Sequence, residues 1–189
     1  MKKGFLFMCL ALFSVVSFAQ ISSWNIKAGM NISNFGGDLD MNAKVGLKFG
    51  GGFDYAVNQT FSIQPSLFFS TKGAKEGSVT ANLAYLELPV MAAAHFNVAD
   101  DKNIVLSAGP YLAYGIGGKT SIEEDGVTGS VDSFGDNRFK RFDAGLGLGV
   151  ALELNKFIIG LEGQLGLTNI VDGGNTKNQN FSIVLGYKF

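Results

Sequence analysis

From about residue 24 onward the chain alternates between apolar and small or polar residues. In 142–154, Phe142, Ala144, Leu146, Leu148, Val150, Leu152 and Leu154 fall on one side. Asp143, Gly145, Gly147, Gly149, Ala151 and Glu153 fall on the other. Segments 157–167 and 181–189 repeat the pattern. A period of two belongs to a β-strand, whose successive side chains point to opposite faces. It predicts eight strands, over 24–31, 43–57, 60–73, 79–97, 103–119, 138–154, 156–169 and 177–189. Several exceed the ~5–6 residues of an ordinary globular strand and suit the ~9–11 tilted residues that cross a bilayer.

The connections alternate in length. Asn58-Gln59, 99–102 and Asn155-Lys156 are tight, whereas 32–42, 73–80, 120–137 and 170–176 are longer and rich in Gly, Asp, Asn or Ser. Short turns on one side and long loops on the other predict an all-β, eight-stranded antiparallel up-and-down barrel, with its short turns in the periplasm. An even strand number places both termini there as well.

If the apolar face is the outer one, Trp24, Tyr55, Phe61, Phe96, Phe157 and Phe189 all point outward at the short-turn ends. That is an aromatic girdle at the periplasmic interface, where flat or amphipathic rings favour the headgroup level. Phe69, Tyr114, Phe142 and Phe181 mark the opposite rim. The inward set then holds Lys27, Lys48, Asp54, Gln64, Glu87, His95, Arg141, Asp143, Glu153, Glu162, Gln164 and Lys188. An eight-stranded barrel is only wide enough for side chains to fill it. Lys48, Glu87, Arg141, Asp143, Glu162 and Gln164 are therefore expected to form a structural polar network across the lumen. Glu87 is expected to pair with Lys48 or another basic group at mid-height, because an unpaired interior charge is costly. Inward Gly145, Gly147 and Gly149 are expected to leave room for Tyr85, Met91 and Tyr111.

The first residues do not follow the alternation. Lys2 and Lys3 precede an apolar run over 4–16, and Ser17-Phe18-Ala19 is a small-x-small cleavage signal before Gln20. Residues 1–19 are read as a cleaved secretory signal peptide, leaving 20–189 as the barrel domain. Cleavage would remove Cys9 and leave 13 basic against 16 acidic residues. Without disulfides, an exported barrel is held by its closed hydrogen-bond ladder. This weakly acidic balance carries no nucleic-acid signature, which would be strongly basic.

Composition adds little candidate chemistry. Residues 113–120 fall one short of a phosphate-binding loop, but an acidic stretch follows where that motif needs a helix. The glycines of 145–149 likewise precede no helix. Glu123, Glu124, Asp125, Asp132 and Asp136 crowd the longest loop without calcium-loop spacing, and a solvated acidic loop is the favoured reading over a cation site. His95 is the one histidine, and it points inward near the periplasmic end, where a lumen hydrogen bond is favoured over catalysis. No catalytic residue, cofactor or metal is expected.

Tyr85-Leu86-Glu87-Leu88-Pro89-Val90 resembles the Y-L-E-[IL]-P strand motif of the PorT-like "porin family" outer-membrane barrel domain of Gram-negative bacteria. Ala108-Gly109-Pro110-Tyr111-Leu112, Gly166-Leu167-Thr168-Asn169-Ile170 and the closing 181–189 resemble its later blocks. The resemblance spans essentially the mature chain. It implies an OmpA/OmpX-type transmembrane barrel in the outer membrane, without an established substrate or reaction. It also implies a last strand that is read by the insertion machinery. Because the last strand ends at Phe189, no appended periplasmic domain is expected.

Three functions remain open at this point. The first is a structural or surface-interaction protein, with outer-membrane lipid around it and an extracellular ligand held by its loops. The second is a narrow porin or transport component. The third is a soluble periplasmic ligand-binding barrel, which requires an apolar lumen and a polar wall.

Overall fold

The computed structural model describes residues 21–37, 42–124, 127–135, 138–171 and 174–189. They form ten strands: β1 (Ile21–Gly37), β2 (Asn42–Ala56), β3 (Phe61–Glu76), β4 (Val79–Ala99), β5 (Lys102–Gly117), β6 (Lys119–Glu124), β7 (Val127–Asp132), β8 (Phe142–Leu154), β9 (Phe157–Gly166) and β10 (Thr176–Lys188). Eight close into one antiparallel barrel in the order β1-β2-β3-β4-β5-β8-β9-β10, sealed where β1 pairs with β10. Closure leaves no open edge in hydrocarbon, where each unsatisfied backbone group costs several kcal/mol. The seam runs from Asn25↔Lys188 to Gly37↔Thr176, and the Phe189 N–H donates to the Trp24 carbonyl at 2.9 Å.

The faces follow the alternation. Leu148 is 65% exposed on the outer wall, while its neighbour Gly147 is buried toward the lumen. Leu47, Phe49, Leu146, Leu161 and Leu185 are likewise exposed, while Lys48, Glu87 and Asp143 are buried. An apolar wall around a polar interior is the inverse of a soluble ligand-binding barrel.

The periplasmic turns are tight for identifiable reasons. The Asn58 side chain accepts the N–H groups of Thr60 and Phe61, both at 2.8 Å, as Asn does in turns. Asp101 and Asn155 adopt left-handed conformations, with φ of 55° and 54°, which these residue types tolerate best after glycine. The Asn155 N–H donates to the Asp101 carbonyl at 2.7 Å, which ties the two turns together.

The extracellular side departs from the expected loops. β1 continues to Gly37, and β3 and β4 run to a turn at Gly77-Ser78, so 32–37 and 73–76 are strand. Apolar alternation is needed only where one face meets lipid. Above the membrane both faces can be polar while the backbone ladder continues. The expected loop over 120–137 contains the β6–β7 hairpin. Gly118, at φ +155°, is where the chain leaves β5, and β6 then takes the place beside the start of β4 (Val79↔Ile122 to Ala81↔Thr120). β8 begins at Phe142 instead of 138, and β9 ends at Gly166 instead of 169.

Candidate functional site

Two regions concentrate side-chain chemistry: the lumen and the extracellular mouth. At the periplasmic end of the lumen, the Lys188 ammonium lies 2.9 Å from Glu153 Oε2 and 3.2 Å from Asp54 Oδ2. His95 Nε2 meets Ser62 Oγ at 2.8 Å, and its Nδ1 lies 3.9 Å from Glu153. The inward alternation of β2, β3, β4, β8 and β10 delivers these groups from five strands to one level.

Above this level, Lys48 from β2 pairs with Glu162 from β9 at 2.6 Å, with Lys27 a further 3.8 Å from the same carboxylate. Higher still, Lys72 and Glu87 meet at 2.7 Å with both side chains fully buried. The Lys72 ammonium also sits 4.9 Å from the Tyr111 ring centroid, a cation–π contact that is stronger when desolvated. Gln164 donates to the other Glu87 oxygen at 3.2 Å. Asp143 accepts from Tyr111 (3.2 Å), Asn178 (2.8 Å) and Thr168 (2.9 Å).

Lys48, Glu87, Asp143, Glu162 and Gln164 thus stand in this interior. Arg141 does not, which corrects its expected lumenal place. It lies just before β8, exposed at the extracellular rim, where its guanidinium donates to the Gly115 carbonyl at 2.8 Å and covers the Phe134 ring at 5.2 Å. β8 begins four residues after the expected start at 138, so the inward parity of the strand does not extend back to Arg141. Glu87 pairs with a basic group as expected, and of the two alternatives it is the other one: the partner is Lys72, while Lys48 pairs with Glu162. Lys72 is the lumen residue that the expected set does not include. It shares the inward parity of Gln64, but a strand ending at residue 73 puts it in the last turn instead of the interior.

The glycine readings divide in the same way. A Cβ on Gly145 would stand 2.7 Å from Tyr111 Cε1, and one on Gly147 would stand 3.3 Å from Met91 Cε. Gly149 faces Ser107, and Tyr85 packs instead against Phe134, edge to face at 5.7 Å.

The mouth is closed by an apolar cap. Phe35, Leu83, Tyr85, Tyr111, Phe134 and Ile170 form one buried cluster, with Phe139 and Val171 against it. Phe134 enters from the segment after β7. It is held by Ser133, which donates to the Asn82 carbonyl at 2.8 Å, and it is admitted by Gly115, where a Cβ would overlap its ring. The described lumen contains two small cavities, one of about 20 Å³ between the Glu162 level and Asp54 and Glu153, and one of about 30 Å³ from Glu162 up to Gln164 and Tyr111.

The six girdle residues lie at the short-turn end. Trp24, Phe61, Phe96, Phe157 and Phe189 are exposed, and Tyr55 is half-buried. Tyr187 bridges Phe157 and Phe189 in edge-to-face contacts of 5.6 and 5.3 Å. Among the described residues no cluster of three or more metal-ligating side chains occurs. Asp125 and Asp136 of the acidic stretch lie outside the described residues.

Solved structures are similar to this chain at low identity, and the first two below share its fold. Neisserial surface protein A aligns at 13% identity and a TM-score of 0.53, covering 88% of this chain and 97% of that one. The outer membrane enzyme PagL aligns at 11% identity and 0.58, covering 86% and 97%. Ail, the attachment invasion locus protein of Yersinia pestis, aligns at 17% identity and 0.45, covering 88% and 98%. No curated protein matches in sequence. The family described as the outer membrane protein beta-barrel domain matches residues 18–172. With an apolar wall, a polar lumen and short turns at one end, the chain belongs to that family of outer-membrane barrels.

Proposed function

We propose that this protein is a non-enzymatic outer-membrane barrel with a structural or surface-interaction role, working through its extracellular side over a closed lumen. One observation carries the reading. The Phe134 cap and the Lys72–Glu87 layer fill the upper interior, and two lumen cavities beneath measure about 20 and 30 Å³. About 10–15 Å³ is needed for one water, so cavities of this size hold isolated waters and not a continuous column. The narrow-porin reading requires the cap to leave the mouth.

Ser62, His95 and Glu153 stand in the order of a hydrolytic triad, which sets an enzymatic reading beside this one. The His95–Glu153 separation of 3.9 Å exceeds hydrogen-bond range, and Lys188 already occupies that carboxylate. Ser62 lies within β3 between β2 and β4, so its backbone belongs to the ladder and supplies no oxyanion donors. These features favour a structural polar cluster.

The Y-L-E-L-P block at 85–89 supports a PorT-like membership within the wider family. Residues 1–19 are proposed as the secretory leader, giving a mature chain that begins at Gln20, which N-terminal sequencing of the membrane form checks. The lumen reading is tested by conductance in planar bilayers. The protein is expected to give no steady current, and Phe134→Ala is expected to raise transient openings. Steady conductance by the unaltered protein would establish the porin reading instead.

A further inference from the structure

The β6–β7 hairpin stands above the mouth as a continuation of the barrel sheet, in the order β3-β4-β6-β7. β6 is covered on both sides, by β4 and β7. β7 is the terminal strand, and among the described residues nothing pairs with its far side.

The register says which groups that side presents. Ser133 N–H donates to the Gly118 carbonyl at 3.0 Å, so that pair is hydrogen-bonded. Bonded pairs alternate in an antiparallel ladder, and the next ones are Thr120↔Val131, Ile122↔Gly129 and Glu124↔Val127. On β6 the intervening Glu123 turns away from β7 and donates to the Ser78 carbonyl at 3.0 Å, as this phase requires. On β7 the intervening residues are Thr128, Ser130 and Asp132. Their N–H and C=O groups point out from the edge. Arg138 occupies the Asp132 carbonyl at 2.9 Å, leaving the groups of Thr128 and Ser130 as an open template.

Native edges of this kind are blunted by Lys, Pro, bulges or inward charges. β7 reads Val-Thr-Gly-Ser-Val-Asp, with no Lys, no Pro and an unbroken register to β6. One face of the ledge is also apolar. Thr120↔Val131 and Ile122↔Gly129 share their face with Ala81, which is buried against Ala74, yet Ile122 and Val131 are exposed.

We infer that the β7 edge binds an extended polypeptide segment of an extracellular partner by strand addition, with alternate apolar side chains of that segment continuing the Ile122–Val131 face. This rests on the surface-interaction reading and names the partner's chemistry. Main-chain bonds would supply affinity and the apolar face selectivity. A second copy in the same membrane does not fit the edge. β7 runs in the same sense as β4, toward the membrane, and copies related by a two-fold along the membrane normal share that sense. They cannot pair β7 with β7 antiparallel.

The test uses the folded full chain in lipid nanodiscs and a fluorescent octapeptide of alternating threonine and valine with lysine at each end. The unaltered protein is expected to bind this peptide and to ignore a copy N-methylated at every residue. Ser130→Pro removes an edge donor that the hairpin does not use, so the β6–β7 ladder and the folded yield should persist while binding weakens roughly tenfold or more. Ser130→Ala should bind like the parent. The proposal is overturned if the methylated peptide binds equally, if Ser130→Pro binds like the parent, or if the parent binds neither peptide. It is also overturned if the parent forms a dimer that Ser130→Pro dissolves. Steady bilayer conductance would overturn the closed-lumen reading instead, so the two failures are distinguishable.

Discussion

The buried Lys72–Glu87 pair offers the sharpest test of the interior. Both side chains are fully buried, their charged atoms are 2.7 Å apart, and Gln164 and Tyr111 complete their surroundings. At an effective dielectric of ~20 the direct attraction at this distance is ~6 kcal/mol, against desolvation of several kcal/mol per ion. The pair as a whole therefore adds little net stability, whereas either ion alone is expensive. Glu87→Gln or Lys72→Met should each cost about 3–5 kcal/mol, since each strands a buried charge. The double variant should cost clearly less than the two single costs added together. The same cycle between Glu87 and Lys48 should give the weaker coupling, because Lys48 is engaged by Glu162. The assay is urea unfolding of the refolded protein in detergent or lipid, followed by the heat-modifiable gel shift and by the fluorescence of Trp24, the chain's one tryptophan. A Lys72–Glu87 coupling energy near zero, or a double variant as costly as both singles together, would refute the pairing.

Leu148→Arg places a charge on the lipid-facing wall and should cost roughly 2–4 kcal/mol, visible as lost folded yield beside Leu148→Ile; equal yields would mean the register is slipped by one residue. Gly115→Leu should expel the Phe134 ring, and increased proteolysis at 133–141 with an intact barrel shift would report it. Deleting 187–189 removes the girdle contacts of Tyr187 and the Phe189–Trp24 bond at the closing seam. It should block outer-membrane insertion far more than deleting 123–130 from the hairpin above the membrane; normal insertion of the tail deletion with failure of the hairpin deletion would overturn the strand assignment at both places.

The apolar alternation specifies the wall. Within the bilayer one face of every strand must be apolar and the other must fill the lumen, so a period of two marks strand, face and depth together. That is why Leu148 and Gly147, the short turns and the positions of Trp24, Phe157 and Phe189 were all legible. Charge pairing was not, because which inward lysine meets which carboxylate depends on the stagger between strands. Lys72 on β3 faces Glu87 on the adjacent β4, whereas Lys48 on β2 reaches Glu162 on β9, a residue 114 positions away in sequence. Above the membrane the alternation lapses because lipid no longer selects a face. Packing in three dimensions is what sets β1, β3 and β4 to continue there, β6 and β7 to pair beside β4, and Arg141 to cover Phe134 at the rim. The cap itself combines Phe35, Phe134 and Ile170 from three separate segments, and no local pattern brings those together.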